Sequence, residues 1–230
     1  MPISIIFISI LFMVLGMIVQ GTLKSKFAAY SKIPTSSGLS GKEVAEKMLH
    51  DNGIYDVNVV SVQGFLSDHY DPSKKTVNLS PDVYEGRNIS AAAVAAHECG
   101  HAVQHATAYS LLQLRSALVP IVQISTNLAQ WVILIGLGLF TVGGGNSTIL
   151  LIGIILFAAS TLFSVITLPV EFDASARALK WLNTSHLTLS VEHEKAKDAL
   201  KWAALTYVVA ALASIAMLVQ YIMIYLGRRD

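Results

Sequence analysis

Long uninterrupted apolar runs alternate with polar stretches along the chain. A helix needs roughly 20 predominantly apolar residues to cross a bilayer. Four runs are that long, and they cover about Ile3 to Gln20, Ala117 to Phe140, Thr148 to Val170 and Trp202 to Leu226. The first lacks the basic region that precedes the apolar core of a signal peptide, and its apolar run is longer than such a core, so we expect an uncleaved anchor. The pattern predicts four transmembrane helices.

The polar stretch after the first run has the pattern of a small α+β segment. In "SGLSGKEVAEKMLHDNGI", Ser40 and Glu43 form a capping box and Gly53 suits a helix end. The runs "VNVVSV", "GFLSDHY" and "TVNLS" predict short strands, which we expect to pair as an antiparallel sheet. A further helix, rich in alanine and histidine, is expected to begin near Ser90.

The second polar stretch predicts two helices. The sequence "EFDASARALKWL" favours a helix directly after the third apolar run, and another helix is expected to begin near Ser190 and to continue into the fourth. The predicted organisation is therefore an anchor at residues 1–23, an α+β segment at 24–116, a transmembrane hairpin at 117–170, a helical segment at 171–201 and a last transmembrane helix at 202–230.

Composition supports a membrane protein and excludes several other classes. The chain is 53% hydrophobic and only 13% charged, about half the charged fraction of an ordinary soluble domain. Its net charge of +1 gives no reason to expect a nucleic-acid partner. Cys99 is the single cysteine, which excludes an intrachain disulfide and a multi-cysteine metal site.

Basic residues flank the two large polar segments, while the turn "VGGGNS" between the second and third runs carries no charge. The flanking residues are Lys24, Lys26, Lys32, Arg115, Arg177, Lys180, Lys195, Lys197 and Lys201. Since the basic side of a membrane protein faces the cytoplasm, we expect both segments there, in the plasma membrane, although the terminal "GRRD" opposes this orientation. Two spans separate the segments, so both lie on one face and can contribute to one site.

The alanine-rich helix carries the pattern H-E-x-x-H in "AVAAHECGHAVQH". His97 and His101 are four residues apart and share one helix face, where both imidazoles can bind one zinc ion. Glu98 is placed to take a proton from water at that ion. The small residues Gly100 and Ala102 predict that another element packs closely against this helix. The pattern therefore predicts a zinc site with Glu98 as the general base.

A catalytic zinc site requires a third protein ligand. The second polar segment offers Glu171, Asp173, His186, Glu192, His193 and Glu194. Glu171 is favoured because it follows an apolar span directly and opens a helix. Residues 192–194 fit an ordinary solvated helix start. His105 continues the histidine series, but three ligands stacked on one helix diverge from a tetrahedral centre, so we expect His105 beside the site and not in it.

At these residues the chain resembles the bacterial YugP-type neutral zinc metallopeptidases of the membrane. The resemblance covers essentially the whole chain and is specific in "LSDHYDPSKKTVNLSPDVY", "AVAAHECGHAVQH" and "LPVEFDASARAL". A more distant likeness is to the HtpX-type gluzincins, whose E-F-x-A-D helix supplies the third zinc ligand. This implies Glu171 as that ligand. The supporting aspartate of that helix falls on Ser175 here, which leaves Asp173 as an alternative.

The resemblance implies peptide-bond hydrolysis with a Zn²⁺ cofactor, and protein or peptide substrates. The implied fold is a mainly α membrane protein with four transmembrane helices and a small α+β zincin-like cytoplasmic domain. The "TVNLS" strand is a candidate to pair with an extended substrate. Oxyanion stabilisation could come from His69, Tyr70 or Arg177, whereas Asp68, His69 and Asp71 are also expected to form a hydrogen-bonded turn.

Several alternatives stay open. An intramembrane site-two-type protease is disfavoured, because only about eight apolar residues precede His97. A non-enzymatic metal-binding scaffold or small transporter would not need Glu98, and a peptidase could serve protein quality control. In the second span, Gln123, Asn127 and Gln130 share a face, which predicts contacts inside the helix bundle more than a polar substrate path. Oligomeric state is unknown from sequence.

Overall fold

A computed structural model describes residues 3–64, 67–141 and 147–227. The elements follow each other in the order α1 Ile3–Tyr30, α2 Gly41–Asp51, β1 Asn58–Ser61, β2 His69–Asp71, β3 Thr76–Leu79, α3 Pro81–Tyr84, α4 Ile89–Ala106, α5 Ser110–Thr141, α6 Ser147–Thr184 and α7 Ser190–Leu226. The turn predicted between the second and third spans and the terminal arginines lie almost wholly outside the described residues.

Four helices, α1, α5, α6 and α7, are long and apolar enough to cross a membrane, as the apolar runs predict. Each of them also extends beyond its apolar run. The polar helix predicted after the third run continues α6 without a break, and the helix predicted from Ser190 is the start of α7. Within the described part of the chain, α4 is not among the candidate spans.

The chain divides into two compact units. The first contains the described parts of residues 1–18, 113–168 and 206–230, and the second contains residues 19–112 and 169–205. The division in α6 falls at Pro169, which lies inside the helix and cannot donate a backbone hydrogen bond. The second unit combines the two polar segments that the sequence separates by a transmembrane hairpin.

The second unit contains a three-stranded mixed sheet in the order β1-β3-β2. The expected antiparallel pairing holds for β2 with β3, but β1 runs parallel to β3, so the prediction of an antiparallel sheet is wrong for that pair. Since β3 is the central strand, neighbours on both sides occupy its backbone groups. The suggestion that "TVNLS" pairs with substrate is therefore wrong as well. Residues 65 and 66 of the second predicted strand are outside the described residues.

The helix α4 lies at the centre of the second unit's core. Residues 91–96 are all buried, and Cys99 is buried with them, where burial raises the pKa of its thiol. The apolar face of α2, with Val44 and Met48, packs into the same core, as do Val77 and Leu79 of β3. At the start of α2, both hydrogen bonds of the predicted capping box are present. The alanine-rich sequence thus makes α4 a buried element that neighbouring elements can approach closely.

Gly100 marks the closest approach of another helix to α4. A Cβ atom built at this glycine would lie 2.5 Å from the carbonyl oxygen of Ala174 in α6. This distance is too short for any side chain, so only glycine permits α6 to pack here. The expectation of close packing around the histidine motif is confirmed at this residue.

In the first unit, the predicted role of the polar residues of α5 is wrong. Gln123, Asn127 and Gln130 are exposed and do not face the helix bundle. The inward face of α5 carries Ser125 and Ala129 instead, followed by Ile133 and Leu137 at the same four-residue spacing. The sequence pattern thus showed that these three residues share one face of α5, but it did not show that this face is exposed.

Candidate metal centre

Two neighbouring turns of α4 place the histidine motif on one face. Asn88 caps the start of this helix by accepting a hydrogen bond from the backbone N–H of Ala91. The imidazole rings of His97 and His101 are 4.9 Å apart between centroids and nearly perpendicular. The side chain of His101 is 9% exposed and that of His97 is 13% exposed. Both imidazoles are therefore held in the interior of the unit.

Glu171 of α6 completes a group of three potential ligands. Its Oε2 atom lies 3.2 Å from Nε2 of His97 and 3.5 Å from Nε2 of His101. One donor atom from each of the three residues lies within 4.8 Å of the others, and no second group of this type occurs among the described residues. The structure thus brings together the three residues that the sequence analysis selects.

The donor set fits a zinc ion in chemistry and in size. Zinc bound by two imidazole nitrogens and one carboxylate oxygen is a common catalytic arrangement. In a tetrahedral centre with ligand bonds of about 2.0–2.2 Å, neighbouring ligand atoms are about 3.3–3.5 Å apart. The two distances from the Glu171 oxygen, 3.2 Å and 3.5 Å, have this size. The spacing of Glu171 from each imidazole therefore suits one zinc ion.

The electrostatic surroundings of the group are acidic. Burial alone would lower the pKa of His101, but the hydrogen bond to Glu171 and the negative charge of Glu98 outweigh it and raise this pKa above its usual value. Glu98 itself is only 8% exposed. Within the described residues its carboxylate has no hydrogen-bond partner. A cation bound between His97, His101 and Glu171 would be stabilised by the carboxylates of Glu98 and Glu171.

Each imidazole is also held on its other nitrogen. Nδ1 of His97 lies 3.1 Å from Oγ of Ser175, and Nδ1 of His101 lies 3.0 Å from Oε1 of Gln104. Asp173 contacts neither histidine. Its Oδ2 accepts a hydrogen bond from Nε2 of Gln104 at 2.8 Å. Ser175, which aligns with the supporting aspartate of the HtpX-type helix, thus contacts His97 directly. Asp173 is linked to His101 only through Gln104.

Gln104 was not selected from the sequence. It is fully buried, and its amide also donates to the backbone carbonyl of Val170 at 2.8 Å. The sequence did contain one indication of its role. Gln104 is a polar residue three positions after His101, so it must lie on the same face of α4 as the motif.

His105 lies outside the metal group, as expected. Its Nδ1 is 2.8 Å from the hydroxyl oxygen of Tyr70 in β2, and the residue is exposed. Burial, together with the charges of Asp56 and Asp71, raises the pKa of Tyr70 to about 12, so the phenol keeps its proton at neutral pH. The two side chains join the sheet to the end of α4.

Several of the remaining candidates have structural partners, whereas the buried Nδ1 of His193 has no hydrogen-bond partner among the described residues. Glu192 accepts hydrogen bonds from Leu189 and Ser36, which is the behaviour of a capped helix start. Asp71 accepts from the backbone N–H groups of residues 73 and 74, and Asp68 accepts from Ser80, so the predicted hydrogen-bonded turn is present. His186 has a positive φ of 54° in the connection between α6 and α7.

Comparison of the sequence with known proteins places the chain in a family. The sequence profile of the family described as "Putative neutral zinc metallopeptidase" matches residues 5–226. The chain belongs to this family. It is 44% identical over 225 residues, 98% of both chains, to a Bacillus subtilis (strain 168) protein named "Putative membrane protease YugP". No solved structure matches the chain significantly. The zinc metallopeptidase family is thus the one that the sequence motifs indicate.

Proposed function

We propose that this protein is a membrane-anchored zinc endopeptidase whose site consists of His97, His101, Glu171 and Glu98. The observation that carries the proposal is the meeting of three ligand-type side chains, two from α4 and one from α6, at distances suited to one zinc ion; His101 and Glu171 are buried and His97 is 13% exposed. Membership of the zinc metallopeptidase family supports the same reaction.

His97, His101 and Glu171 would hold the ion. A bound zinc would supply a Lewis acid for the scissile carbonyl and would lower the pKa of water at the site. Glu98 accepts the proton that the attacking water loses and returns it to the leaving amine. Ser175 and Gln104 keep the two imidazoles oriented during this cycle.

The setting of the site suggests the substrates. The four apolar helices support a multi-pass membrane protein, and the basic flanks of the polar segments favour a site at the cytoplasmic face of the plasma membrane. Substrates would be protein or peptide segments that reach this face in extended form. Two of the three ligands come from α4, which is not a candidate span, and Glu171 directly follows the apolar run of α6, which favours this reading over cleavage within the bilayer.

A matched pair of variants tests the proposal. Wild type and Glu98→Gln are purified in detergent, their bound zinc is measured, and both are incubated with an unfolded protein substrate. We expect equal zinc in both and cleavage only by wild type, with a loss on the order of 10²-fold or more in the variant. Glu194→Gln is the control, because Glu194 has 69% of its side chain exposed and, among the described residues, its carboxylate makes an ion pair with Lys197 alone. Equal activity of wild type and Glu98→Gln would refute the mechanism.

A further inference from the structure

We propose that Gln104 and Asp173 are positioning residues that fix His101 in one tautomer, with its proton on Nδ1 and Nε2 free for the metal. The inference rests on the proposed function, since it assigns a role toward zinc. It concerns two residues outside the ligand set, one in α4 and one in α6.

The orientation of the Gln104 amide follows from its neighbours. Its Nε2 lies 2.8 Å from the carbonyl oxygen of Val170 and 2.8 Å from Oδ2 of Asp173. A backbone carbonyl only accepts hydrogen bonds, and so does an ionised carboxylate. Reversing the amide would set its oxygen against both acceptors. The NH₂ group must therefore face Val170 and Asp173.

With the NH₂ group placed, Oε1 is the atom that faces His101, at 3.0 Å from Nδ1. An amide oxygen has no proton to give, so the hydrogen in this contact must come from the imidazole. His101 thus carries a proton on Nδ1. In the neutral ring, Nε2 is then unprotonated, and this is the nitrogen that lies 3.5 Å from Glu171. The metal-binding lone pair is preset by the hydrogen bond on the opposite side of the ring.

The hydrogen bonds of Gln104 are buried, and the carboxylate that accepts one of them is itself held in place. Gln104 is 0% exposed, so water cannot replace a lost partner. Asp173 is held in turn by Arg177, whose Nε donates to Oδ2 at 2.6 Å. The Val170 carbonyl belongs to the residue preceding Glu171. Gln104 therefore also ties the His101 ring to the turn of α6 that supplies the third ligand.

His97 is held differently. Its Nδ1 contacts the hydroxyl of Ser175, a group that can donate or accept. A serine partner therefore does not select a tautomer by itself. The structure predicts that loss of Gln104 affects zinc binding more than loss of Ser175, although both residues contact a ligand histidine.

The test measures zinc affinity by competition with a chromophoric chelator for full-length wild type, Gln104→Leu, Ser175→Ala and the control Gln113→Leu, whose side chain is exposed at the start of α5. Removing a partner of a ligand histidine typically weakens metal binding about 10–100-fold. We expect that loss for Gln104→Leu, a smaller loss for Ser175→Ala and none for the control.

A second measurement keeps a folding defect apart from a positioning defect. Nitrogen-15 NMR of the histidine rings in metal-free protein, recorded at alkaline pH where the His101 ring is neutral, reports which of its two nitrogens carries the proton. We expect Nδ1 in wild type, with loss of this preference in Gln104→Leu. Wild-type affinity in Gln104→Leu, or a proton on Nε2 of the neutral ring in wild type, would overturn the inference. A wild type that binds no zinc would refute the proposed function, and the NMR result alone would then decide the role of Gln104.

Discussion

The close approach of α6 to α4 at Gly100 predicts that Gly100→Ala lowers the free energy of unfolding. The same substitution at Gly21, where there is space for a Cβ, should raise it. A Cβ at Gly100 would lie 2.5 Å from the Ala174 carbonyl oxygen, about 0.9 Å short of ordinary contact at 3.4 Å. Gly100→Ala should therefore push α6 away from α4 by a comparable distance. Glu171 lies one turn before Ala174 on α6, so it would move away from His97 and His101. Zinc sites tolerate only about 0.2 Å in their ligand distances.

Two quantities follow for this variant. Helix propensity favours alanine over glycine by roughly 1 kcal/mol, while overpacking a close contact costs about 1–3 kcal/mol. The free energy of unfolding should thus fall by up to about 2 kcal/mol, and zinc affinity should fall at least about tenfold because one ligand is displaced. Thermal unfolding and chelator competition on the purified protein measure the two effects.

Gly21 is the matched control, because a Cβ there would meet nothing within 4 Å. Gly21→Ala should gain roughly the 1 kcal/mol of helix propensity and bind zinc as wild type does. If Gly100→Ala instead behaved like Gly21→Ala in both measurements, the argument that this glycine sets the position of Glu171 would be refuted.

Two further predictions concern the third ligand and the helix that covers α4. Glu171→Ala should lower zinc affinity by more than tenfold in the chelator assay, since one of three ligands is removed and the site is left with two imidazoles; unchanged stoichiometry and affinity would exclude this residue as a ligand. Ser40→Ala removes the side-chain acceptor of the α2 capping box, and denaturant unfolding should show a loss of about 1 kcal/mol with zinc affinity intact. No loss of stability would mean that water replaces the cap.

The sequence was most informative where one local pattern determines one structure. The four apolar runs became four long helices, and the pair Ser40 and Glu43 formed its capping box. The motif around His97 needed only helical periodicity to place both imidazoles together. Glu171 was selected because two predicted spans would return the second polar segment to the same membrane face as the first. These steps depend on spacing and length, which a sequence displays directly.

The features that sequence reasoning missed depend on pairing and environment. Alternating residues predict strands but do not encode their direction, so the parallel pairing of β1 and β3 was not foreseen. The polar face of Gln123, Asn127 and Gln130 has the same spacing whether it is exposed or packed. Gln104 escaped notice because its partners, Val170 and Asp173, lie more than 60 residues away along the chain.

The central claim is that Glu98 activates water at a zinc site to hydrolyse peptide bonds. The most direct measurement incubates an unfolded protein with zinc-matched wild type and Glu98→Gln in water enriched in the heavy oxygen isotope, and analyses the products by mass spectrometry. The account predicts new carboxyl termini that carry the heavy isotope with wild type and none above background with Glu98→Gln. Equal amounts of labelled termini from both proteins would contradict it.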